Sequence, residues 1–446
     1  MTEDIKVKEI ETLVTTAKKA QANYENYTQE QVDAIVKNIY QKTLDNAEKL
    51  AVSANKETGF GKVSDKIIKN TFASEQVYDS IKDLPTVGVI NRRKEDKIIE
   101  IGIPLGVVAG LIPSTNPTAT VIFKSLIALK TRNAIIFSPH PKALKSILMA
   151  AEIIEQAAVE AGAPAGLVQV IQEPTLDATS ALMKHTDVSL ILATGGKAMV
   201  QAAYSSGNPA IGVGPGNVPV LIDATADIAQ AIDCVVRSKT FDNGIICASE
   251  QALVVDASIK AEVIEQLKAK KAYFMNKDES AKVSKFILRE TGALNPDIVG
   301  KSASDVAKLV GISVPEETTI LISEQSEIGH HNPYSREKLT PILGLFTVDS
   351  FEAGVETCKA LLVNEGTGHT AVIHTTSDVN AETFGLEMRA SRILVNTLGA
   401  LGAIGATTKL APSMTLGCGA MGGSSTTDNV TAHHLMNVKR IAYGVE

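Results

Sequence analysis

The spacing of apolar and polar positions changes along this chain and marks off stretches of different architecture. Through residue 83 the apolar residues recur at three- and four-residue intervals: Val7, Ile10, Leu13, Val14 and Ala17, then Val32, Ile35, Val36, Ile39 and Leu44. That period puts one apolar stripe on each helix, so residues 3–83 are expected to form a helical layer. Thr28, followed by Glu30 and Gln31, marks a helix start with a capping-box partner three positions on. Residues 84–104 hold Pro85, the charged run Arg92, Arg93, Lys94, Glu95, Asp96 and an apolar stretch over 98–103. Charges at the ends of an apolar strand are typical of a projecting edge, and the stretch reads as a hairpin or arm.

From Gly106 strand and helix patterns alternate. Strands are expected over 106–112, 134–137, 167–171 and 188–193, with helices over 117–130, 141–161, 176–184 and 197–205. A second block follows, with strands over 252–255, 318–323, 341–346, 370–375 and 391–395 and helices over 258–270, 350–362 and 380–389. Such succession calls for parallel sheets covered by helices, with ligands at the C-terminal strand ends. The chain is therefore expected to divide near residue 240 into two α/β domains.

Composition narrows the function classes. At 446 residues the chain suits two or three domains. With 43 basic and 50 acidic residues, a net charge of −7 and no Trp, nothing favours nucleic acid or an anionic membrane. Cys234, Cys247, Cys358 and Cys418 show no C-x-x-C spacing, which fits a reducing compartment and neither a disulfide framework nor a zinc site. No apolar run reaches the ~18 residues of a membrane span, and the N-terminus lacks a signal-peptide pattern, so a cytoplasmic protein is expected.

Cys247 is the candidate nucleophile. It follows Phe241, Asp242, Asn243, Gly244, Ile245 and Ile246 and precedes Ala248, Ser249, Glu250 and Gln251. The turn signal before it and the polar run after it place the thiol at an irregular junction, where a backbone turn can present it. Three loops at strand ends could serve a dinucleotide: 111–117, ending in Asn116 and Pro117; 137–140, ending in His140; and 193–196, ending in Gly195 and Gly196, whose N–H groups open a helix. Asn116 reads equally as an N-cap and as an amide donor facing the cleft. His369, after two glycines and before a strand, is a candidate acid, base or hydrogen-bond partner on a loop. The G-x-G-x-x-G string at 417–422 lacks a following helix, and Gly300, Lys301, Ser302 lack the first glycine of a phosphate loop. The histidine pairs 330–331 and 433–434 point apart on any regular element and do not argue for a metal.

These residues carry a resemblance. Pro113 with Asn116 and Pro117, the turn Thr194, Gly195, Gly196, the run Gly212, Gly214, Gly216, Asn217, the Cys247 stretch, and Glu337, Lys338, Leu339, Thr340, Pro341 occur in the order seen in the aldehyde dehydrogenase superfamily. Phe123 to Leu126, Thr131 to Pro141 and Ser238 to Gly244 look like its CoA-acylating branch, most of all the aldehyde dehydrogenase half of bifunctional aldehyde-alcohol dehydrogenases. The resemblance spans nearly the whole chain. It implies an α/β, aldehyde dehydrogenase-like fold of two Rossmann-type three-layer domains and a small oligomerisation arm. Residues 1–240 would form the helices and dinucleotide-binding domain with the arm at 84–104, residues 241–400 the catalytic domain, and 401–446 a segment returning to the cofactor domain and the oligomer interface.

The roles it implies are residue by residue. Cys247 matches the nucleophile and Asn116 the oxyanion-binding amide. Leu111, Ile112, Pro113, Ser114, Thr115, Asn116, Gly196 and Gly214 match positions lining the nicotinamide cofactor, Glu337 the carboxylate on the nicotinamide ribose, and Leu416 a backbone contact near the nicotinamide. Ser138 and His140 stand where relatives place a Lys and a Glu on the adenosine ribose, so NAD is expected with NADP open. Hydrolytic relatives carry a Glu before a Gly-Gly-Lys segment to activate water, whereas residues 211–216 here hold no carboxylate. Losing a general base costs water about 10²–10⁴ in rate, while a thiol needs less help. The implied activity is acylating acetaldehyde dehydrogenase, with coenzyme A as co-substrate and His369 as partner of the incoming thiol. Succinate semialdehyde or another short functionalised aldehyde is the alternative substrate, with Arg336 as an anion partner, and a hydrolytic semialdehyde dehydrogenase or a phosphate-dependent acyl-phosphate reductase is the rival enzyme. A homodimer or higher homo-oligomer is expected, with an assembly role as the reading from another class. The absence of an alcohol dehydrogenase half in this sequence suggests a stand-alone enzyme.

Overall fold

The computed structural model describes residues 3–445; the side chains of residues 3–7, Val7 of the first stripe among them, lie outside that description. Helices Glu3–Tyr24, Gln29–Asp45, Ala47–Thr58 and Val63–Thr71 form the expected layer, the last running through a π-helical turn at Phe72–Gln76 into Val77–Ile81. Ile10, Val14, Ala17, Val32, Ile35, Val36 and Ile39 are buried, and Leu13 and Leu44 half-buried. Thr28 accepts from the Gln31 N–H while the Gln31 side chain accepts from the Thr28 N–H, the reciprocal cap that the sequence predicts. The arm begins with strands β1 (Gly88–Arg93) and β2 (Ile98–Pro104), an antiparallel hairpin.

The first sheet is built from β3 (Val107–Ile112), β4 (Ala134–Pro139), β5 (Val168–Val170), β6 (Val188–Thr194) and β7 (Ala210–Val213). Its order is β5-β4-β3-β6-β7, every pairing parallel. The chain moves outward from β3 through β4 to β5, then crosses to the other side of β3 for β6. Loops leaving β3 and β6 therefore part at their C-terminal ends, and a crevice opens at this switch point. Helix Pro117–Lys130, buried along its whole length, runs beneath it. There the Lys124 ammonium donates to the carbonyls of Leu111 and Leu192, at 2.8 Å each, tying the ends of β3 and β6 together. Burial pushes this lysine down to about 7.

The second sheet contains β8 (Val218–Ile222), β9 (Glu250–Asp256), β10 (Tyr273–Phe274), β11 (Leu321–Gln325), β12 (Ile342–Val348), β13 (Gly368–His374) and β14 (Ala390–Val395). All pair in parallel, in the order β10-β11-β12-β9-β8-β13-β14. This sheet opens at Val218, earlier than the division near residue 240 suggested by the strand-helix alternation. Pro219 hid β8, because a proline donates no ladder bond and argues against a central strand. The structure accommodates it with a register shift against β9 between Val218 and Pro219. Helices Lys277–Ile287 and Ala303–Val310 and the short β7, β8 and β10 were not anticipated. Nor was β15 (Met436–Ala442), which pairs antiparallel with β2 and completes the three-stranded arm β1-β2-β15. Asn133 anchors the arm to the first sheet, donating to the Leu435 carbonyl at 2.7 Å and accepting from the N–H groups of Leu105 and Gly106. Among the described residues, no helix is long and apolar enough to cross a membrane.

Candidate active site

A cavity of about 460 Å³ lies between the C-terminal strand ends of the first sheet and the N-terminal strand ends of the second. The first sheet contributes residues 111–116 after β3, 138–141 after β4, 194–196 after β6 and 213–215 after β7. Ile245, Ile246 and Cys247, just before β9, close the opposite wall with Glu337, Leu339 and Leu416. Cavity-facing groups on the second sheet thus lie at its N-terminal edge, the reverse of what strand-helix succession alone suggests.

Cys247 reaches this wall because the chain reverses its hand after helix Ile228–Thr240. Asp242, Asn243 and Gly244 are all left-handed, with φ of 47°, 54° and 73°. For the two non-glycine residues this conformation costs roughly 1–2 kcal/mol each. Side-chain bonds hold it: the Asp242 N–H donates to Asp65 at 2.7 Å, Asp242 accepts from the Lys62 N–H at 2.7 Å, and Asn243 donates to the Gly300 carbonyl at 2.9 Å. Cys247 is half-buried, whereas Cys234, Cys358 and Cys418 are buried.

Next to the thiol is His369, the second residue of β13, its Nε2 3.3 Å from Cys247 Sγ. His369 is fully buried, and its Nδ1 lies 2.9 Å from the Thr370 hydroxyl. Arg392 donates both to that hydroxyl and to the His369 carbonyl. The Thr370 hydroxyl shares a hydrogen bond with Nδ1, and Nε2 presents a lone pair to the sulfur in the tautomer that carries its proton on Nδ1. Burial, and then the Arg392 charge, push His369 down to about 3. Burial, and then the Glu337 charge, push the Cys247 thiol up to about 12. The resting pair is thus a thiol beside a neutral imidazole.

Glu337 accepts from the Gly216 N–H at 3.0 Å, and its own N–H donates to Glu365. Burial and the Glu365 charge push it up to about 8. It is the one carboxylate among the described residues lining the cavity. The Lys338 ammonium braces its loop by donating to the carbonyls of Tyr334 and Arg336.

Other expectations meet the structure as follows. Asn116 occupies the N-cap position without a side-chain cap bond, so its amide is free of that duty; its oxygen accepts from Lys69 at 2.5 Å and its nitrogen donates to Thr115. Leu111, Ile112, Pro113, Ser114, Thr115, Ser138, His140, Gly196, Gly214 and Leu416 all line the cavity with Asn116. Ser138 shares a hydrogen bond with Thr179, and His140 accepts from the Lys142 N–H. Gly196 opens helix Lys197–Tyr204, and a Cβ there would meet nothing within 4 Å, so its backbone stands clear for a ligand. Arg336 does not face this cavity: it pairs with Glu365 and donates to the Gly292 carbonyl. Ser249, Glu250 and Gln251 are not a solvated run but fully buried, with Glu250 accepting from the Gly399 N–H and Gln251 from Lys239 and the Lys338 N–H. The glycine string at 417–422 ends in a single 3-10 turn, and Ser302 caps helix Ala303–Val310. Among the described residues no three His, Cys, Asp or Glu side chains converge as metal ligands. Thr370, Arg392 and the buried lysines were missed, since a charged residue in a sequence reads as a solvated one.

The model of the aldehyde dehydrogenase family matches residues 2–408. The chain belongs to that family. It is 48% identical over 445 residues to the bifunctional aldehyde-alcohol dehydrogenase of Escherichia coli K12, covering 99% of this chain and 50% of that protein. The chain thus spans about half the length of the first curated relatives it matches. An acetylating aldehyde dehydrogenase from Geobacillus thermoglucosidasius superposes with a TM-score of 0.98 at 49% identity, over 100% of this chain and 98% of that one. A propionaldehyde dehydrogenase from Rhodopseudomonas palustris, solved with bound CoA and an acylated cysteine, superposes at 0.89 with 28% identity, over 97% of each chain. The family's α/β fold is the one described above.

Proposed function

We propose that this chain is a CoA-acylating aldehyde dehydrogenase, which converts an aldehyde, CoA and NAD+ reversibly to acyl-CoA, NADH and a proton. The observation that carries the reading is Cys247 on the wall facing the strand ends of the first sheet, its sulfur 3.3 Å from Nε2 of the buried His369. Cys247 attacks the aldehyde carbon as the thiolate, its proton having left to solvent. The oxyanion of the resulting thiohemiacetal is held by the Asn116 amide and the Cys247 N–H. A bound nicotinamide dinucleotide supplies the hydride acceptor. The first sheet would hold that dinucleotide, with residues 111–115, Gly196, Gly214 and Leu416 around it and Glu337 at the nicotinamide ribose. Ser138 and His140 would stand at the adenosine ribose, and neither is a carboxylate that would repel a 2′-phosphate, so the site would take NAD or NADP.

The acyl group then leaves on a thiol. Glu337, raised to about 8 and already accepting from Gly216, is mostly protonated at pH 7 and removes no proton from water. The CoA sulfur attacks the thioester carbonyl, the Cys247 sulfur departs, and the CoA thiol proton passes through His369 to Cys247. One thioester replaces another, so the sequence runs in both directions. Acetaldehyde is the default substrate, with succinate semialdehyde or another short aldehyde as the alternative. Arg336, engaged with Glu365, does not support an anionic one. The arm would join chains into a homodimer or larger assembly.

The test is a panel of short aldehydes with NAD or NADP, with and without CoA, followed by product analysis. NADH formation that requires CoA and yields acyl-CoA is expected, and CoA-independent NADH with free acid as the product would reject the proposal.

A further inference from the structure

Helix Val63–Thr71 is packed the wrong way round for an ordinary surface helix. It buries Lys66, Lys69 and Asn70 and leaves Ile68 half-exposed to solvent. Spacings of three and four residues place the three polar groups on one face, and that face meets the two segments bearing the candidate thiol and the candidate amide. The side chains of Lys66 and Lys69 are only 3% and 2% exposed, and that of Asp242, to which both bind, is 0%. Lys66 donates to Asp242 at 3.0 Å. Lys69 binds the same carboxylate and also donates to the Asn116 side-chain oxygen at 2.5 Å. Asn70 accepts from the Thr118 hydroxyl, joining the helix to the one that starts after Asn116. A Cβ on Gly61 would come within 1.8 Å of the Asp242 carboxylate, so the chain entering the helix is fitted to the same group.

From this we infer that Lys69 is a positioning residue: it fixes the Asn116 side chain so that the amide N–H2, and not the carbonyl, is presented to the reacting oxygen. An ammonium has three donors and no acceptor, so only the oxygen end of an amide can face it. Without that contact the two ends of the amide are close to equivalent in shape, and a flip would aim a carbonyl dipole at a developing oxyanion, turning stabilisation into repulsion. Asp242 fixes Lys69 in turn, and Asp242 belongs to the left-handed turn that leads to Cys247. One carboxylate therefore sets both the path to the nucleophile and, through Lys69, the orientation of the amide. Conformational specificity gives a reason for burying two cations around one anion, because such groups are weak contributors to stability.

The inference rests on the oxyanion role proposed for Asn116, and a double-mutant cycle separates the two. Single-turnover NADH formation is measured for the unaltered protein, K69M, N116A and K69M/N116A, with steady-state KM for aldehyde alongside. N116A should lose about 10²–10³-fold in rate. K69M should lose at least about ten-fold in rate with KM little changed, and in the N116A background the same substitution should cost less than two-fold. A merely structural lysine would produce the same factor in both backgrounds, and that additive result, or a K69M protein of full rate, overturns the inference alone. An N116A protein of full rate overturns the oxyanion role and the inference with it. If K69M does not fold, K69Q is run through the same cycle. Its amide can still donate to Asn116, so it should keep more rate than N116A, and a K69Q protein no faster than N116A would overturn the inference.

Discussion

The proton on Cys247 is held by two features with different pH behaviour. Burial pushes the thiol up at every pH, whereas the second cause, the charge on Glu337, is present only when that carboxyl is ionised. Glu337 itself loses its proton near 8. Below about pH 7 the carboxyl is neutral and the thiol does not feel it; above about pH 9 it is anionic and opposes thiolate formation. Removing that charge by Glu337→Gln should therefore leave iodoacetamide alkylation of Cys247 unchanged at pH 6.5 and accelerate it at pH 9, by about ten-fold if the charge is worth one pKa unit. A variant that alkylates no faster than the unaltered protein at pH 9 would show that the thiol is held by burial alone. His369, pushed down to about 3, stays neutral throughout this window, so its titration does not confuse the comparison.

Between elements, one tight backbone constraint is the segment joining β7 to β8. It crosses from the first sheet to the second in four residues, and its third, Gly216, lies directly against the Cys247 backbone. A Cβ there would stand 1.9 Å from the Cys247 carbonyl oxygen and 3.2 Å from the His369 ring. The obstruction is backbone, which cannot swing aside as a side chain can. Gly216→Ala should shift the Cys247 turn and lower the turnover rate by about 10²-fold, the scale expected when reacting groups move by an ångström, while the thermal midpoint falls only a few degrees. Gly385→Ala, on a helix where a Cβ meets nothing within 4 Å, is the control and should keep full rate. Equal rates in the two proteins would mean that the crossing segment yields without cost. The sequence made much of this level legible: the long strands β3, β4, β6, β9, β12, β13 and β14, the helices of period 3.6 and the turn before Cys247 follow from periodicity and turn chemistry. It hid β8 behind Pro219 and concealed the inverted helix at 63–71, since its pattern of lysines is that of a solvated face. Contacts such as Gly216 on Cys247 join residues 31 positions apart in the chain, and no local pattern encodes them.

On the scale of the whole molecule the two sheets share one continuous core, but the arm stands apart from it. A sheet of three strands needs an apolar face packed against something to be stable. Here Ile98, Ile99, Ile101 and Ile103 on the central strand β2 are all only half-buried, and Val89 on β1 and Ile441 on β15 are 44% and 43% exposed. The anchors at Asn133 and the pairing of β2 with β15 secure the arm's base and order its strands without covering that surface. Contiguous apolar surface of this kind marks an interface, and a second copy of the chain is the partner already proposed for the arm. Placing a carboxylate on each edge, as Val89→Asp with Ile441→Asp, puts like charges into the contact without touching either sheet. Sedimentation velocity should then show the assembly falling to a single chain while the circular dichroism spectrum is unchanged. An assembly of undiminished mass would mean that the chains meet through another surface. Activity per chain discriminates further, because Cys247, His369, Asn116 and Glu337 all come from one chain: the dissociated protein should retain CoA-dependent turnover, reduced by the looser anchoring of the arm but not abolished.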